Sequence, residues 1–384
     1  MGLPFSIRKS FNLLSFVSLS AIEKLLSIIL VYLIAKTSDL ETYNVLEYLI
    51  SVSAVFYVVF ELGISSYIFE ELKRYGSRYI DKSISHREHG ARIAGLLVIS
   101  IPICYAFGAI DFIFLAVLIA FQVVQRVEQS IHRIVDRPAF PYILNNVLLV
   151  VQIALVWFAG ISLLAVIIPR LLFLVFYLIR FFSWISLSDL RKYLLNIISY
   201  SWPLILNVFL ITLMSNMLRI YGWRLLDTET MAGVNIVLRY SSILFLLNTS
   251  LSNYFRKSNY LITGSKEMLV NTRIYAVIFL ALAALSYLFL ILLSSNIDVI
   301  INMTNFQIAG ILLFTFFSAL ASYSEVFLVS LGKVRSVPYT TLIGALMLAI
   351  GLLFFVNSLN GLISVMIISF IFISMLRIYV IKIA

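Results

Sequence analysis

Residues 39–78 read DLETYNVLEYLISVSAVFYVVFELGISSYIFEELKRYGSR. A short acidic opening leads into an apolar run over 43–67, and the run ends on a cluster of cations, Lys73, Arg74 and Arg78. A helix rises 1.5 Å per residue and the hydrocarbon of a bilayer is about 30 Å thick, so roughly 20 apolar residues make one span. The stretch is long enough to cross, and its two flanks differ in charge.

The same pattern recurs along all 384 residues. Apolar runs fall at 12–35, 43–67, 91–109, 112–131, 141–160, 161–182, 197–221, 231–254, 273–294, 305–330, 338–357 and 361–380. With 62% hydrophobic residues and a mean hydropathy of +1.05, little chain remains for a soluble domain. The first run is too long for the apolar core of a signal peptide and lacks a small-residue cleavage site before Lys36, so it reads as a helix.

Charge sets the orientation. Of the 28 Lys and Arg, 22 sort to one side of the membrane, among them Arg87, Arg126, Arg180, Arg335 and Arg377, while Lys36, Arg219 and Arg224 sort to the other. The positive-inside rule then puts the rich side and both termini in the cytoplasm. The net charge of +10 is therefore topology, and nucleic acid is not an expected partner, because the cations are scattered over short segments. Trp157, Trp184, Trp202 and Trp223 all fall at span ends, where amphipathic rings favour the headgroup zone. The single cysteine, Cys104, can make no internal disulfide.

The chain also repeats itself. Asp39-Leu-Glu-Thr42 recurs as Asp227-Thr-Glu-Thr230, half a chain length further on and on the same side. Each copy precedes a helix with polar residues in it (Glu47; Arg239) and then a basic stretch. Six spans separate the copies, so the two halves share an orientation and form a parallel repeat about an axis along the membrane normal. The expected architecture is all-α: about twelve transmembrane helices in two six-helix bundles around a central cavity. The N-terminal bundle takes 1–182, a cytoplasmic linker 183–196 and the C-terminal bundle 197–384.

Over residues 12–76 the chain resembles the Wzx-type O-antigen and polysaccharide repeat-unit flippases of the multidrug/oligosaccharidyl-lipid/polysaccharide exporter superfamily. The resemblance lies in an opening helix, a short acidic outer loop (Ser38-Asp-Leu-Glu-Thr-Tyr43), a second helix ending in Phe60-Glu-Leu-Gly-Ile64, and a basic run. It implies transport of polyprenyl-pyrophosphate-linked oligosaccharides from the cytoplasmic to the outer leaflet of a cell inner membrane. It also implies that the first two helices of each half line the cavity.

Charged groups at membrane depth are the sharpest clue to a site, since each costs about 2.5–3.5 kcal/mol at a helix centre. Lys24 lies roughly 17 Å from the outer end of its span, Arg170 roughly 14 Å and Arg239 roughly 12 Å. With Arg219 near the outer mouth, they are the candidate substrate contacts, Arg by bidentate bonds to phosphate and Lys as a point charge. Glu23 and Glu47 are candidates for ion or proton coupling. Glu61 and Glu325 read as partners of nearby cations such as Arg126, and Gln122, Arg126 and Glu128 as markers of the inner end of the fourth span. Pro102, Pro169 and Pro203 are candidate bends. His86, His89 and His132 show no metal-ligand spacing, and no P-loop, nucleophile elbow or zinc motif occurs.

These features point to a transporter rather than an enzyme, with no cofactor. Its partners would be the lipid-linked substrate, membrane lipids and other polysaccharide-assembly membrane proteins. A small-molecule or drug exporter of the same superfamily is the alternative within the fold. A membrane polysaccharide polymerase is less consistent with outer loops of about ten residues or fewer.

Overall fold

The computed structural model describes residues 18–19, 22–23, 25–30, 32–34, 36–37, 39–61, 64, 79–106, 110–134, 140–159, 163–181, 187–241, 265–294, 303–331, 333 and 335–383. Every regular element among them is a helix. Described residues between 18 and 37 are helical. There follow α1 (Leu40–Glu61), α2 (Tyr79–Ala106), α3 (Ile110–Ile134), α4 (Phe140–Ala159), α5 (Leu163–Phe181), α6 (Leu187–Leu225) and α7 (228–241). The last four are α8 (Ser265–Ser294), α9 (Asn305–Ser330), α10 (Ser336–Phe354) and α11 (Leu359–Ile383). Nine of the described helices are long and apolar enough to cross a membrane. The other three expected spans correspond to the helical stretch of 18–37, to α2 and to α7.

Helix does not stop where hydropathy stops. α2, α6 and α8 begin two to three turns before the apolar runs they contain, because an intrahelical hydrogen bond needs only a backbone while a hydropathy window ends at the first charges. Residues 187–196 are thus the opening turns of α6. At 39 residues, α6 is roughly 58 Å long, nearly twice the hydrocarbon thickness.

The chain forms two compact units, Met1–Ile205 and Leu206–Ala384, whose boundary falls inside α6. In the first, α3 is the packing centre, touched by α1, α2, α4 and α5. Ile119, Val123, Val127 and Ile131 recur every fourth residue and are buried with Ile64, Ile93 and Ile197, the stripe a helical period requires. The outer faces are equally apolar. On α5, Leu164, Ile168, Leu172, Val175, Phe176 and Ile179 form an exposed stripe, with Ile179 at 81% exposure, and Phe158 of α4 is exposed at 85%. In water such faces would aggregate; in a bilayer they are the solvated surface.

In the second unit α9 and α11 pack against each other, flanked by α8 and α10. Bonds from Ser374 Oγ to the Phe317 carbonyl and from Arg377 to the Ala321 carbonyl advance in the same direction on both chains, so α9 and α11 run parallel. Aromatic rings fill much of the core: Tyr275 of α8 stacks on Tyr323 of α9 at 3.8 Å between centroids, and Phe314 meets Phe370 edge-on. α10 approaches α11 through glycines. A Cβ at Gly344 would sit 2.3 Å from Ile373 Cγ1, and one at Gly351 would sit 2.2 Å from Val365 Cγ1. Small residues two turns apart bring two backbones close, the packing mode that suits helices in lipid.

Candidate functional site

The repeated tetrapeptides are helix caps. Asp39 Oδ1 accepts from the Thr42 backbone N–H at 2.6 Å and opens α1. Asp227 Oδ1 accepts from the Thr230 N–H, and Oδ2 from the Thr230 hydroxyl, both at 2.8 Å, opening α7. Bonds from Thr42, from its side chain foremost, hold the Asp39 carboxyl below its ordinary value. Bonds from Thr230, from its backbone foremost, do the same for Asp227. A carboxyl with a depressed folded-state pKa adds stability that is complete above its ordinary value and is lost as pH falls through the depressed one. Asp227→Ala is therefore expected to lower stability at neutral pH by about 0.5–1 kcal/mol. In a thermal-stability assay the gap to wild type should close below about pH 4; a gap that stayed constant with pH would mean that the ionised carboxylate is not the cap.

The repeat persists beyond the caps. The offset that takes Asp39 to Asp227 takes Ser53 to Ser241. Both serines are buried, and each hydroxyl donates to the carbonyl three residues back, Ile50 at 2.8 Å and Leu238 at 2.9 Å. Between cap and serine lie the buried polar positions. Glu47 and Asn235 correspond, and each is 0% exposed. Buried Ser51 corresponds to Arg239, which is half-buried. On α1, Asn44, Glu47 and Ser51 follow the i, i+3, i+7 spacing of a single helix face. That face starts about 8 Å past the cap.

The remaining candidates spread over both units. Lys24 lies outside the described residues, and its neighbour Glu23 is half-buried in the N-terminal helix. Asn146 of α4 donates to the Leu19 carbonyl and fixes that helix in the first unit. Arg170, on α5 just after Pro169, donates to the Val166 carbonyl at 2.7 Å and lies over the Phe121 ring at 5.4 Å. It is thus held at the α3–α5 seam. Arg219 of α6 and Arg239 of α7 both belong to the second unit, and the residues before them, Leu218 and Leu238, share one buried cluster. The candidate residues are therefore divided: Glu23, Glu47 and Arg170 in one unit, Arg219 and Arg239 in the other.

Ionic locks stand at the helix ends that carry the cation-rich segments. In the first unit Arg87 grips Glu128 with two bonds, Nε to Oε1 at 2.7 Å and Nη2 to Oε2 at 3.1 Å, and the Tyr177 hydroxyl donates to the same carboxylate at 3.0 Å. Helices α2, α3 and α5 are joined at that point. In the second unit Arg377, 0% exposed, is the corresponding centre. Its Nε donates to Thr340 Oγ1, one Nη to the Ala321 carbonyl, and the other to Asn207 Oδ1 at 2.8 Å and Thr341 Oγ1 at 2.7 Å. Glu325 Oε2 stands 3.9 Å away. Glu325 does pair with an arginine, as its sequence position suggests, and Glu61 interacts electrostatically with Arg126.

Arg377 itself departs from the reading of the sequence. Sorted by position it belongs with the loop cations, yet it is the buried hub of four helices. Signals for it existed in Asn207, Thr340, Thr341 and Glu325, a set of polar groups inside apolar runs, each needing a partner. No group of three or more His, Cys, Asp or Glu among the described residues could hold a metal ion.

Neither a protein-family model nor a curated protein matches this sequence. Solved structures do match it along nearly its whole length. An outward-facing multidrug resistance MATE family transporter of the MOP superfamily aligns at a TM-score of 0.60 and 14% identity, over 97% of this chain and 96% of that one. An inward-facing structure with the same description aligns at 0.60 and 15%, over 100% and 96%. The Vibrio cholerae MATE transporter VcmN, in a variant form, aligns at 0.53 and 13%, over 98% and 97%. At these identities what is shared is the MATE-like fold.

Proposed function

We propose that this protein is an integral-membrane flippase that carries polyprenyl-pyrophosphate-linked oligosaccharide units from the cytoplasmic to the outer leaflet by alternating access. The observation that carries the reading is the excess of cations over acids at membrane depth. Lys24, Arg170 and Arg239, with Arg219 near the outer end, outnumber Glu23 and Glu47. Each costs free energy to bury, and a pyrophosphate-bearing substrate repays that cost through charge-assisted bonds. The MOP-type fold supports transport as the broader class, and with no nucleotide-binding motif in the sequence the energy would come from an ion gradient or from the direction of the pathway itself. The cell inner membrane, beside other polysaccharide-assembly proteins, is the setting this function requires.

The test is complementation of a strain lacking its repeat-unit flippase, at matched membrane expression. Wild type should restore surface polysaccharide, while Lys24→Ala and Arg239→Ala should each reduce it about tenfold or more, the worth of one charge-assisted bond. If both variants work fully, these cations are structural and the reading of the site is wrong.

The descriptions of the structural neighbours favour a second reading, export of small molecules. Drug-susceptibility assays in the same strain separate the two, since an exporter raises tolerance to cationic drugs and leaves polysaccharide unchanged.

A further inference from the structure

The seam between α1 and α3 holds a polar ladder that the ionic locks do not use. Ser53, Tyr57 and Glu61 recur every fourth residue on α1, and Gln122 and Arg126 do so on α3. Gln122 Nε2 donates to Ser53 Oγ at 3.0 Å, and one turn on the Arg126 guanidinium lies over the Tyr57 ring at 5.6 Å. Both rungs advance in the same direction, so the helices are parallel and the rungs share one face. Arg126 is exposed, Tyr57 and Gln122 are half-buried, and Glu61 is buried. Glu61 and Tyr142 of α4 both act electrostatically on the guanidinium.

Two details decide what this face binds. Ser53 Oγ donates its one proton to the Ile50 carbonyl, so toward Gln122 it can only accept. The Gln122 amide is thereby fixed with its NH2 toward Ser53, and Oε1, turned away, has no hydrogen-bond partner. The seam therefore holds a buried acceptor without a donor, one turn from an exposed cation whose charge Glu61 already offsets. A phosphate, which only accepts when ionised, would meet a carboxylate and a carbonyl oxygen. A hydroxyl both donates and accepts, so vicinal hydroxyls can serve Gln122, Glu61 and Arg126 together beside a flat aromatic ring.

We infer that Arg126, Tyr57 and Gln122 form a sugar-binding subsite that takes a neutral pyranose ring of the substrate and not its pyrophosphate. The inference deepens the flippase reading and rests on it for the identity of the whole substrate, while the binding itself can be measured without transport. It assigns Arg126 a role different from the candidate pyrophosphate cations.

The experiment uses the full chain in lipid nanodiscs and follows phenylglyoxal labelling of single arginines by peptide mass spectrometry. Exposed Arg191 is the internal reference, and fully buried Arg377 should stay unlabelled. Probes are a panel of free hexoses, 6-deoxyhexoses and N-acetylhexosamines, with inorganic pyrophosphate and sugar-free polyprenyl pyrophosphate as anion controls. At least one sugar should slow labelling of Arg126 about tenfold at saturation, leave Arg191 unchanged, and lose its effect in Tyr57→Leu. Protection by inorganic pyrophosphate equal to that by any sugar, or protection by none of the panel, overturns the inference. Complementation by the same wild-type chain separates the two ideas. Sugar protection without complementation keeps the subsite and removes the flippase reading; complementation without sugar protection does the reverse.

Discussion

Replacing Arg377 by leucine is expected to cost the second unit about 3–5 kcal/mol, a large part of the stability of an ordinary domain. In the native chain one guanidinium supplies Thr340, Thr341, Asn207 and the Ala321 carbonyl, on α10, α6 and α9. Leucine would take the guanidinium's donors from all four, leaving Asn207 Oδ1 the Thr341 hydroxyl and the Ala321 carbonyl the Ser324 hydroxyl as side-chain donors, and would remove the cation beside Glu325. The readout is the fraction of monodisperse protein extracted from membranes, with its melting temperature. Arg377→Lys should fall between, since an ammonium has three donors and no fork. Asn207→Asp provides the control in the other direction. Asn207 Nδ2 is buried without a partner, so a carboxylate of the same shape removes an orphan donor and gives Arg377 a full counter-charge. That variant should be at least as stable as wild type. Wild-type yield and melting temperature for the leucine variant would show that the network does not hold the unit together.

Enlarging Gly344 is expected to have the next largest effect. A Cβ there falls 2.3 Å from Ile373 Cγ1 and 2.5 Å from its Cδ1, and Ile373 is fully buried. Gly344→Ala should therefore destabilise by about 1–3 kcal/mol, the usual cost of overpacking. Gly351→Ala meets Val365, which is only half-buried and can rotate outward, so its cost should be smaller. A double-mutant cycle with Ile373→Ala checks the mechanism. The second change removes the clashing atoms, so the pair should couple by about 0.5 kcal/mol at the least. Additive effects would mean that the loss arises elsewhere than at this contact.

Much of the fold was legible because the bilayer imposes one rule on every segment. Roughly 20 apolar residues must occur together wherever a helix crosses, and among the described residues these runs lie within helices except at their ends. The Asp-x-x-Thr repeat was legible as a repeat, but its physical content, a cap on each of two corresponding helices, appeared only with the Asp39 and Asp227 hydrogen bonds. Side-chain partnerships were harder to see. Arg87 and Glu128 are 41 residues apart and Glu128 and Tyr177 are 49 apart, distances at which no local pattern links them. Arg377 misleads for a different reason. It closes an apolar run near the chain's end, where a cation ordinarily reaches for the headgroups, and only three-dimensional packing reveals that its partners lie inward. Arg126 and Gln122, read along the chain as the end of a span, gain their meaning from α1.

The paired serines and capping aspartates have a bearing on ancestry. Two segments half a chain apart keep the same cap and the same hydroxyl-to-carbonyl bond, as descendants of one duplicated gene would. Between those fixed points they have parted in charge: an acid and a serine in one copy, an amide and an arginine in the other. The cap and the serine bond are common to both copies, while the buried polar positions between them differ. A chimera carrying two first copies or two second copies would keep every cap and lose that difference in charge between the halves.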